Sequence, residues 1–578
     1  MPVQNKDIAE IFSRIGDLLD IKGENRFRIR AYRQAAEILS SLSRNVREMV
    51  DNGEDLTSIP GIGKELSDKI STIVKSGSLP QLKRLEKEIP GELIDLMQIS
   101  DIGPKRVKTL YQELGIDSLS ALKKAAAGHQ VRTLGGFGEK MEQKILHAIT
   151  QKQSEGQKKR ILLTEAEQMI QPLIQILRNV DGVGEVEAVG SYRRKKETIG
   201  DLDILVTCGN ETPVMDRFVQ YEDVEEVIVR GDSKTSVRLR GGFQADLRVF
   251  KKANYGAAMI YFTGSKDHNV MLRKMAREKG LKINEYGVYS GRKRLVAGET
   301  EASVYRTLNM AWIPPELREN RGEIEAARNG CLPELIATED IRGDLQCHSS
   351  ASDGKNTIEE MAEAARKKGY DYLAITDHSK RVAVAHGLDA DRMRKHMDDI
   401  DRVNAAVAGI HVLKGVEVDI LKNGELDLPD DVLRDLDVVV ASAHFYRNLP
   451  REKQTRRIIR ALENPYVHIL AHPFGRLLAG RDPVEMDFEK VLGMIKDRGC
   501  FIEINAQPDR LDLSDVNARM AREMGAGLVI NTDAHSTNGL ELMKWGVAQA
   551  RRAWLTADDV LNTRSWESVS KLLKAGRI

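Results

Sequence analysis

The sequence predicts a multidomain α/β protein with a helical front, a mixed α+β middle and a C-terminal distorted parallel barrel of the (β/α)7 type. Three observations predict it. Residues 1–150 show helical apolar spacing interrupted by glycine turns. Residues 185–250 hold short strand patterns that carry acids. After residue 340, apolar strands ending in His or an acid recur at about the 30-residue length of one βα unit. Composition sets the outer bounds. At 578 residues the chain has room for about four domains. It is 41% hydrophobic and 30% charged, a globular balance. A net charge of +1 excludes a globally basic nucleic-acid binder but allows a local basic surface. The N-terminus lacks an apolar signal core, and no apolar run approaches the ~18 residues of a membrane span. A cytoplasmic protein is expected. Cys208, Cys331, Cys347 and Cys500 are scattered, as suits reduced thiols. Charge divides unevenly: residues 1–160 carry net +5, 161–338 are neutral and 339–578 carry −4. Nine of the twelve histidines lie after 338. A basic front suits phosphates; a His/Asp/Glu-rich back suits metals.

The front begins with a helical stripe, Ile8, Ile11, Phe12, Ile15, Leu18 and Leu19. Three segments then share one form: LTSIPGIGKELSDKI (56–70), LMQISDIGPKRVKTL (96–110) and VRTLGGFGEKMEQKI (131–145). Each has an apolar lead, a glycine turn (Gly61 and Gly63 in the first, Gly103 in the second) and a helix with basic residues in its first turns. Those residues are Lys64, Lys105, Arg106 and Lys140. Glycine admits close approach, and the helix start offers free N–H groups and a positive dipole to a phosphate. One such corner is equally an ordinary helix–turn–helix. Three within 90 residues point to sequence-independent contact with the DNA backbone.

The middle centres on EVEAVGSYRRKKETIGDLDILVTCG (185–209). EVEAVG reads as a strand, GSYRR as a donor-rich turn and IGDLDILV as a second strand. Asp201 and Asp203, two apart on a strand, share a face. Asp246 lies on another strand pattern, FQADLRVF (243–250). Three converging carboxylates repel one another unless cations sit between them, and hard oxygen ligands select Mg2+ or Mn2+. Two such ions can activate a 3′-hydroxyl and stabilise a leaving pyrophosphate. Gly190, Ser191, Arg193 and Arg194 are then donors for nucleotide phosphates.

These stretches, with YFTGSKDHNVMLRKMAREKGLKINEYGVY (261–289), make the first 315 or so residues resemble a family X DNA polymerase, the group that includes DNA polymerase beta. The resemblance implies that Asp201, Asp203 and Asp246 hold two palm ions. It implies that Ser191, Arg194, Gly200 and Arg160 meet the triphosphate, and that Tyr261, Phe262 and Gly264 floor the sugar. Asn269 would meet the base edge and Arg273 the template. Two departures stand out: Gln244 where relatives have an arginine, and Lys266 where they have an aspartate. Lys69 matches a Schiff-base lysine, and Arg28 and Tyr32 a 5′-phosphate pocket, implying abasic-site lyase activity; Glu65 stands where relatives carry a basic residue. A solvated helix lysine is the plainer alternative for Lys69.

In the back, the marker residues His348, His378, Glu417, His444, His472, Glu503 and Asp533 are 30, 39, 27, 28, 31 and 30 apart. Seven strand ends at that interval predict a parallel barrel with its site at the strand C-termini. His386, His396, His411 and His468 fall off the pattern and are expected to be structural. Imidazole with carboxylate suits Zn2+ or Mn2+.

This region resembles the PHP (polymerase and histidinol phosphatase) domain. The resemblance implies up to three ions: one on His348, Glu417 and Asp533, one on Glu417, His444 and His472, and one on Asp353, His378 and His535. The family's opening His-x-His is here Gln346-Cys347-His348, and Gln offers only a neutral amide oxygen.

The domains expected are 1–85 (helical, DNA-end-binding and lyase-like), 86–155 (helix-hairpin-helix), 156–255 (nucleotidyltransferase palm), 256–315 (thumb-like, nucleotide-selecting), 316–339 (linker) and 340–578 (PHP phosphoesterase). The resemblance implies a monomeric gap-filling repair polymerase with a 3′–5′ exonuclease, working on gapped or nicked DNA with deoxynucleoside triphosphates and no membrane. Two alternatives remain: a small-molecule phosphatase tethered to DNA, and a DNA-end scaffold with a degenerate site.

Overall fold

In a computed structural model the chain forms two compact units, Met1–Lys159 and Arg160–Ile578. The structure describes residues 5–42, 46–59, 61–97, 99, 102–139, 141–146, 160–291, 294–478 and 480–575. Lys140 lies outside them.

The first unit is helical: α1 (Asn5–Lys22), α2 (Arg26–Ser41), α3 (Lys64–Ser76), α4 (Pro80–Glu88), α5 (Pro104–Leu114) and α6 (Leu119–Ala127). The predicted apolar stripe is buried: Ile8, Phe12, Ile15 and Leu18 are fully enclosed. Asn25 caps α2 by accepting the Phe27 N–H. Gly63 and Gly103 are the N-caps of α3 and α5 with no side-chain cap bond, so no cap side chain stands between an outside anion and the Lys64 and Glu65 N–H groups of α3 or the Lys105 N–H that follows Pro104 in α5. Gly61 has φ +95°, a backbone conformation that favours glycine.

The second unit begins with a five-stranded sheet under α7 (Leu163–Arg178). Its strands are β1 (Val183–Ala188), β2 (Leu202–Cys208), β3 (Val224–Arg230), β4 (Lys234–Leu239) and β5 (Phe243–Phe250), in the order β1-β2-β5-β4-β3. Only β2 and β5 pair in parallel, and their register sets Asp203 directly opposite Asp246. That parallel crossover joins acids far apart in the chain. GSYRR is a one-turn helix, Gly190–Arg193.

Next come α8 (Tyr255–Thr263), α9 (Lys266–Glu278), the antiparallel strands β6 (Leu281–Asn284), β7 (Gly287–Ser290) and β8 (Arg294–Ala297), and α10 (Glu301–Thr307). The segment expected as a linker, 316–339, is not one. It forms α11 (Glu323–Asn329), buries Leu317, Ile324 and Ala327 in the preceding core, and encloses Arg318 completely. Arg318 donates to Glu301 Oε1 at 2.7 Å and to the Ile313 carbonyl at 2.9 Å. Burial and long-range pairing, which charge-rich composition hides, order this stretch.

The barrel follows: β9 (Gly343–Cys347), β10 (Tyr372–Ile375), β11 (His411–Asp419), β12 (Val438–Ser442), β13 (Ile469–Leu470), β14 (Phe501–Asn505) and β15 (Gly527–Asn531), all parallel and in chain order. A parallel bridge from Cys347 to Ala534 closes the ring. Helices α12 (Ile358–Lys367), α13 (Ala390–Ala406), α14 (Asp430–Arg434), α15 (Arg451–Leu462), α16 (Phe488–Arg498) and α17 (Asp515–Met524) make the crossovers; α18 (Met543–Arg552) follows β15. Every residue of β9, β10 and β12 is buried, as two covered faces require. Leu413, Val440, Ile469 and Val529 share one core inside the ring with Leu573 of the last helix. Glu417 near the end of β11, and His444 and Asp533 just beyond the ends of β12 and β15, gather polar groups at the C-terminal end of the strands.

Candidate functional site

The palm cleft is built by β2, β5 and the Gly190–Arg193 turn. Gly190 has φ +65°, and a Cβ there would meet Asp203 Oδ2 at 3.0 Å, so the turn lies directly on the acid. Burial, then the charges of Asp201 and Asp246, push the Asp203 carboxyl up to about 7. Asp246 sits below its ordinary value. Burial is the strongest influence and works the other way, but Gln244 and Lys234 outweigh it. Gln244 Nε2 donates to Asp246 Oδ1 at 2.8 Å, and Lys234 Nζ lies 3.1 Å from Oδ2. Gln244, Lys234 and Arg248 thus share the place the resemblance gives to one arginine. A buried carboxyl whose ionisation two neighbouring acids make costlier fits a dication as counter-charge.

A cavity of about 560 Å³ adjoins the acids. All nine expected nucleotide-binding residues line it: Arg160, Gly190, Ser191, Arg194, Gly200, Tyr261, Phe262, Gly264 and Asn269. Arg273, Lys266, Asp201 and Asp203 line it too, and so does Lys196, which the sequence reading passed over. Tyr261 is the more exposed ring. Phe262 packs against Phe250 and lies 4.4 Å beneath the Arg248 guanidinium. Arg193 is not a phosphate donor in this geometry. Its guanidinium grips Glu301 at 2.7 and 2.9 Å and Thr263 Oγ1 at 2.8 Å, tying the palm to α10. Adjacent arginines look equivalent in sequence, but the one-turn helix sends them to different partners. Arg194 donates to the Thr263 carbonyl at 2.5 Å and to Glu319 at 3.1 Å.

In the helical unit, Lys69 Nζ bonds both Tyr32 Oη and Glu65 Oε1 and lies 4.8 Å from the Tyr32 ring centre. Arg28 and Tyr32 line a pocket of about 350 Å³ with Asn25, Phe27 and Glu65. The Lys69 hydrogen bond and charge hold the Glu65 carboxyl below its ordinary range. This carboxylate is a counterion that an attacking amine would have to give up.

At the barrel mouth Glu417 is the hub. Its Oε1 lies 3.0 Å from His472 Nε2 and 3.3 Å from His444 Nε2, and its Oε2 lies 3.2 Å from His378 Nδ1 and 3.4 Å from His348 Nε2. Asp533 Oδ1 is 3.1 Å from His348 Nε2. Asp353 faces His535 at 3.4 Å and His378 at 3.5 Å. The donors converge in three groups: His348, Glu417 and Asp533; His378, Glu417 and His444; and His348, Asp353, His378 and His535. Seven of the eight expected barrel ligands fall in these groups; His472, expected with Glu417 and His444, stays outside them beside Glu417 Oε1, and His378 joins Glu417 and His444 in its stead.

Burial lowers the proton affinity of His378 and His535, yet nearby carboxylates (Glu417 first for His378, Asp353 for His535) push both up to about 9. Glu417 falls well below its usual range despite burial, because His378 and His444 face it and His472 bonds it. Supporting groups orient the ring nitrogens: His444 Nδ1 has Asp419 at 3.3 Å and Ser442 Oγ at 3.1 Å, and His535 Nδ1 has the Asp533 carbonyl at 2.8 Å. Glu503, a strand-end marker, is fully engaged by Asn531, Asn505 and the His472 N–H. His396 pairs with Asp377 at 3.0 Å and His468 accepts from the Val439 N–H, structural uses as expected. His348 Nδ1 and Nε2, His378 Nδ1, Asp533 Oδ1 and both amide atoms of Gln346 are buried without a hydrogen-bond partner. Orphaned donors of this kind fit cations.

Three arginines beside this cluster gave no sequence signal. Arg447 donates to the carbonyls of Phe474 and Asp482, and Arg481 to that of Gly475, all on the loop after His472. Burial, then the charges of Arg481 and Arg510, push Arg447 down to about 10.

Family models match in chain order: a helix-hairpin-helix domain (3–79), a SAM-like helix-hairpin-helix tandem (93–150), the DNA polymerase beta palm (160–231) and thumb (258–319), and a PHP domain (344–507). A Bacillus subtilis (strain 168) protein named DNA polymerase/3′-5′ exonuclease PolX is 37% identical over 579 positions, covering 99% of this chain and all of that protein. The chain belongs to the family X DNA polymerases that carry a PHP domain. Two shorter relatives each match about a third of the chain. A probable phosphatase of Thermoanaerobacter sp. (strain X514) is 33% identical over 231 residues (38% of this chain, 89% of that protein). One of Acetivibrio thermocellus is 33% identical over 201 residues (33% of this chain, 78% of that protein). The palm model ends before Asp246 and the PHP model before Asp533, so the family match leaves these two acids to the strand register and barrel closure described above. Among the described residues, no helix is long and apolar enough to cross a membrane.

Proposed function

We propose that this family X enzyme fills short gaps in DNA with its palm and trims 3′ ends with its PHP barrel. The observation that carries this reading is Asp203 opposite Asp246 beside a cavity lined by every expected nucleotide-binding residue. Asp201, Asp203 and Asp246 would hold Mg2+ or Mn2+, which when bound would help activate the primer 3′-hydroxyl and neutralise the leaving pyrophosphate. Arg160, Ser191 and Arg194 bind triphosphate oxygens, the Tyr261–Phe262 step packs under the sugar, and Asn269 and Arg273 read the base pair and template. The open N-termini of α3 and α5, with Lys64, Lys105 and Arg106, hold the DNA backbone. In the barrel, the His348, Glu417, Asp533, Asp353, His378, His444 and His535 donors would hold Zn2+ or Mn2+, which when bound would help activate a water and clamp the phosphodiester. Arg447, Arg481 and Arg510 then hold the flanking phosphates.

A gapped duplex labelled at both ends tests the whole reading. With deoxynucleotides the primer should grow to the gap's end; without them its 3′ end should shorten. A wild-type enzyme that does neither overturns the proposal. Likeness of about a third of the chain to probable phosphatases favours a second reading, a small-molecule phosphatase. Hydrolysis of a phosphate monoester with no action on DNA would select it.

Lys69 is proposed as an abasic-site lyase nucleophile handicapped by Glu65. Borohydride should trap a weak covalent adduct with 5′-deoxyribose-phosphate DNA. Lys69→Ala should abolish the adduct, and Glu65→Lys should strengthen it several-fold. An adduct undiminished in Lys69→Ala refutes the role.

Gln346 stands on β9 two residues before His348, buried, with its amide atoms unpartnered. Replacing it by His adds an imidazole at the cluster. Gln346→His should raise bound metal and increase exonuclease rate by about tenfold, the scale at which ligand and outer-shell changes act. Unchanged metal content and rate would show that position 346 contributes no ligand.

A further inference from the structure

The polymerase cleft and the barrel are joined through a buried ionic cluster at the end of α18. Arg552, the last residue of that helix, is 3% exposed. One of its nitrogens donates to the Arg194 carbonyl at 2.6 Å and to Glu319 Oε1 at 3.1 Å, and the other to Asp515 Oδ2 at 2.6 Å. The same Glu319 oxygen takes Arg194 Nε at 3.1 Å and lies 3.6 Å from Lys196 Nζ. Asp515 also takes Arg321 at 3.0 Å, and Arg519 donates to the Arg321 carbonyl at 3.0 Å. The barrel (515, 519, 552), the nucleotide-binding turn (194, 196) and the segment after the thumb (319, 321) therefore meet at one point. Among the described residues, Arg194, Lys196, Arg321 and Arg552 share two carboxylates within this cluster, Glu319 and Asp515. Arg194 and Lys196 also line the nucleotide cavity, where a triphosphate would balance the excess.

Resting on the polymerase reading above, we infer that Arg552 is a positioning residue for the nucleotide site. It shares Glu319 and fixes the Arg194 carbonyl, so that Arg194 and Lys196 stay available to the triphosphate. Nucleotide binding in the palm then depends on a residue of the barrel domain. Without Arg552, the Glu319 carboxylate would be left with Arg194 and Lys196 alone, drawing both cations off the cavity.

The test is steady-state gap filling by the full-length enzyme, with exonuclease activity on single-stranded DNA measured on the same preparations as a check of folding. Arg552→Ala should raise the KM for the incoming deoxynucleotide about tenfold and leave kcat within about threefold, the pattern of lost ground-state binding. Arg552→Lys should recover part of the loss. Arg552→Ala with Glu319→Gln should recover most of it, because the uncompensated carboxylate is gone. Should Arg552→Ala alone lack both activities, the double variant carries the test. Its KM within about threefold of wild type supports action through Glu319, and a KM about tenfold higher overturns it. A folded Arg552→Ala enzyme with wild-type KM also overturns the inference. A wild-type enzyme that extends no primer removes the polymerase reading itself, a separate outcome.

Discussion

Asp203→Asn is expected to lower primer extension by about a thousandfold or more while leaving 3′–5′ trimming unchanged, since several kcal/mol of charge stabilisation vanish with one shared ligand. Asp203 sits centrally. Asp201, just before β2, lines the same cavity, and Asp246 is its direct neighbour on the parallel strand. Asn keeps the shape but offers a neutral oxygen, and it relieves the repulsion that raises this carboxyl to about 7. The folded enzyme should therefore be no less stable, and the defect should be chemical. Asp246→Ala should match it in rate but also release Gln244 and Lys234, which now bond that carboxylate. Primer extension on a gapped substrate, with melting temperature as control, checks both. Extension by Asp203→Asn at even a tenth of the wild-type rate would refute the two-cation role of this triad.

The mirror experiment is Glu417→Gln. Its two oxygens face four imidazoles from four strand ends, and it belongs to two of the three donor groups. Replacing it should cost more than replacing any single histidine, because two cations lose a shared anionic ligand together. Exonuclease activity should fall by about a thousandfold or more. Bound metal should drop in parallel, and gap filling should persist. Measuring metal by mass spectrometry beside both activities separates this from unfolding. Full metal content with lost activity would instead make Glu417 a proton-transfer group.

What the sequence disclosed follows from how local each signal is. Asp201 and Asp203 are two apart at the start of one strand pattern, so local spacing alone brings both to the same cavity, although the strand itself begins at Leu202. The barrel declared itself because each βα unit repeats the same length and ends in a ligand-type residue. Asp246 was harder: FQADLRVF reads as a strand, but its place beside Asp203 is fixed by a parallel register across some forty residues, which spacing does not show. Arg193 and Arg194 are indistinguishable as letters, yet one locks the palm to Glu301 and the other lines the cleft. Segment 316–339 looked like a charged tether because Arg318, Glu323 and Arg321 are charged; their partners Glu301, His268 and Asp515 are far away in the chain. Arg447, Arg481 and Arg510 lie on loops without periodicity, and Arg552 closes a helix that reads as ordinary surface. Long-range pairing of charges leaves no trace in spacing.

The seam between the two enzymatic halves of the second unit is greasy as well as ionic. Leu511 and Trp545 from the barrel side are buried in the palm's own hydrophobic cluster, and Trp554 is buried in the thumb's. Severing the chain near residue 340 would strip two indole rings of their cover and bare the matching patches on the synthetic half. The halves are thus less like beads on a thread than like two rooms sharing a supporting wall. Inherited as one piece, the trimming and filling activities would be gained, lost or tuned together.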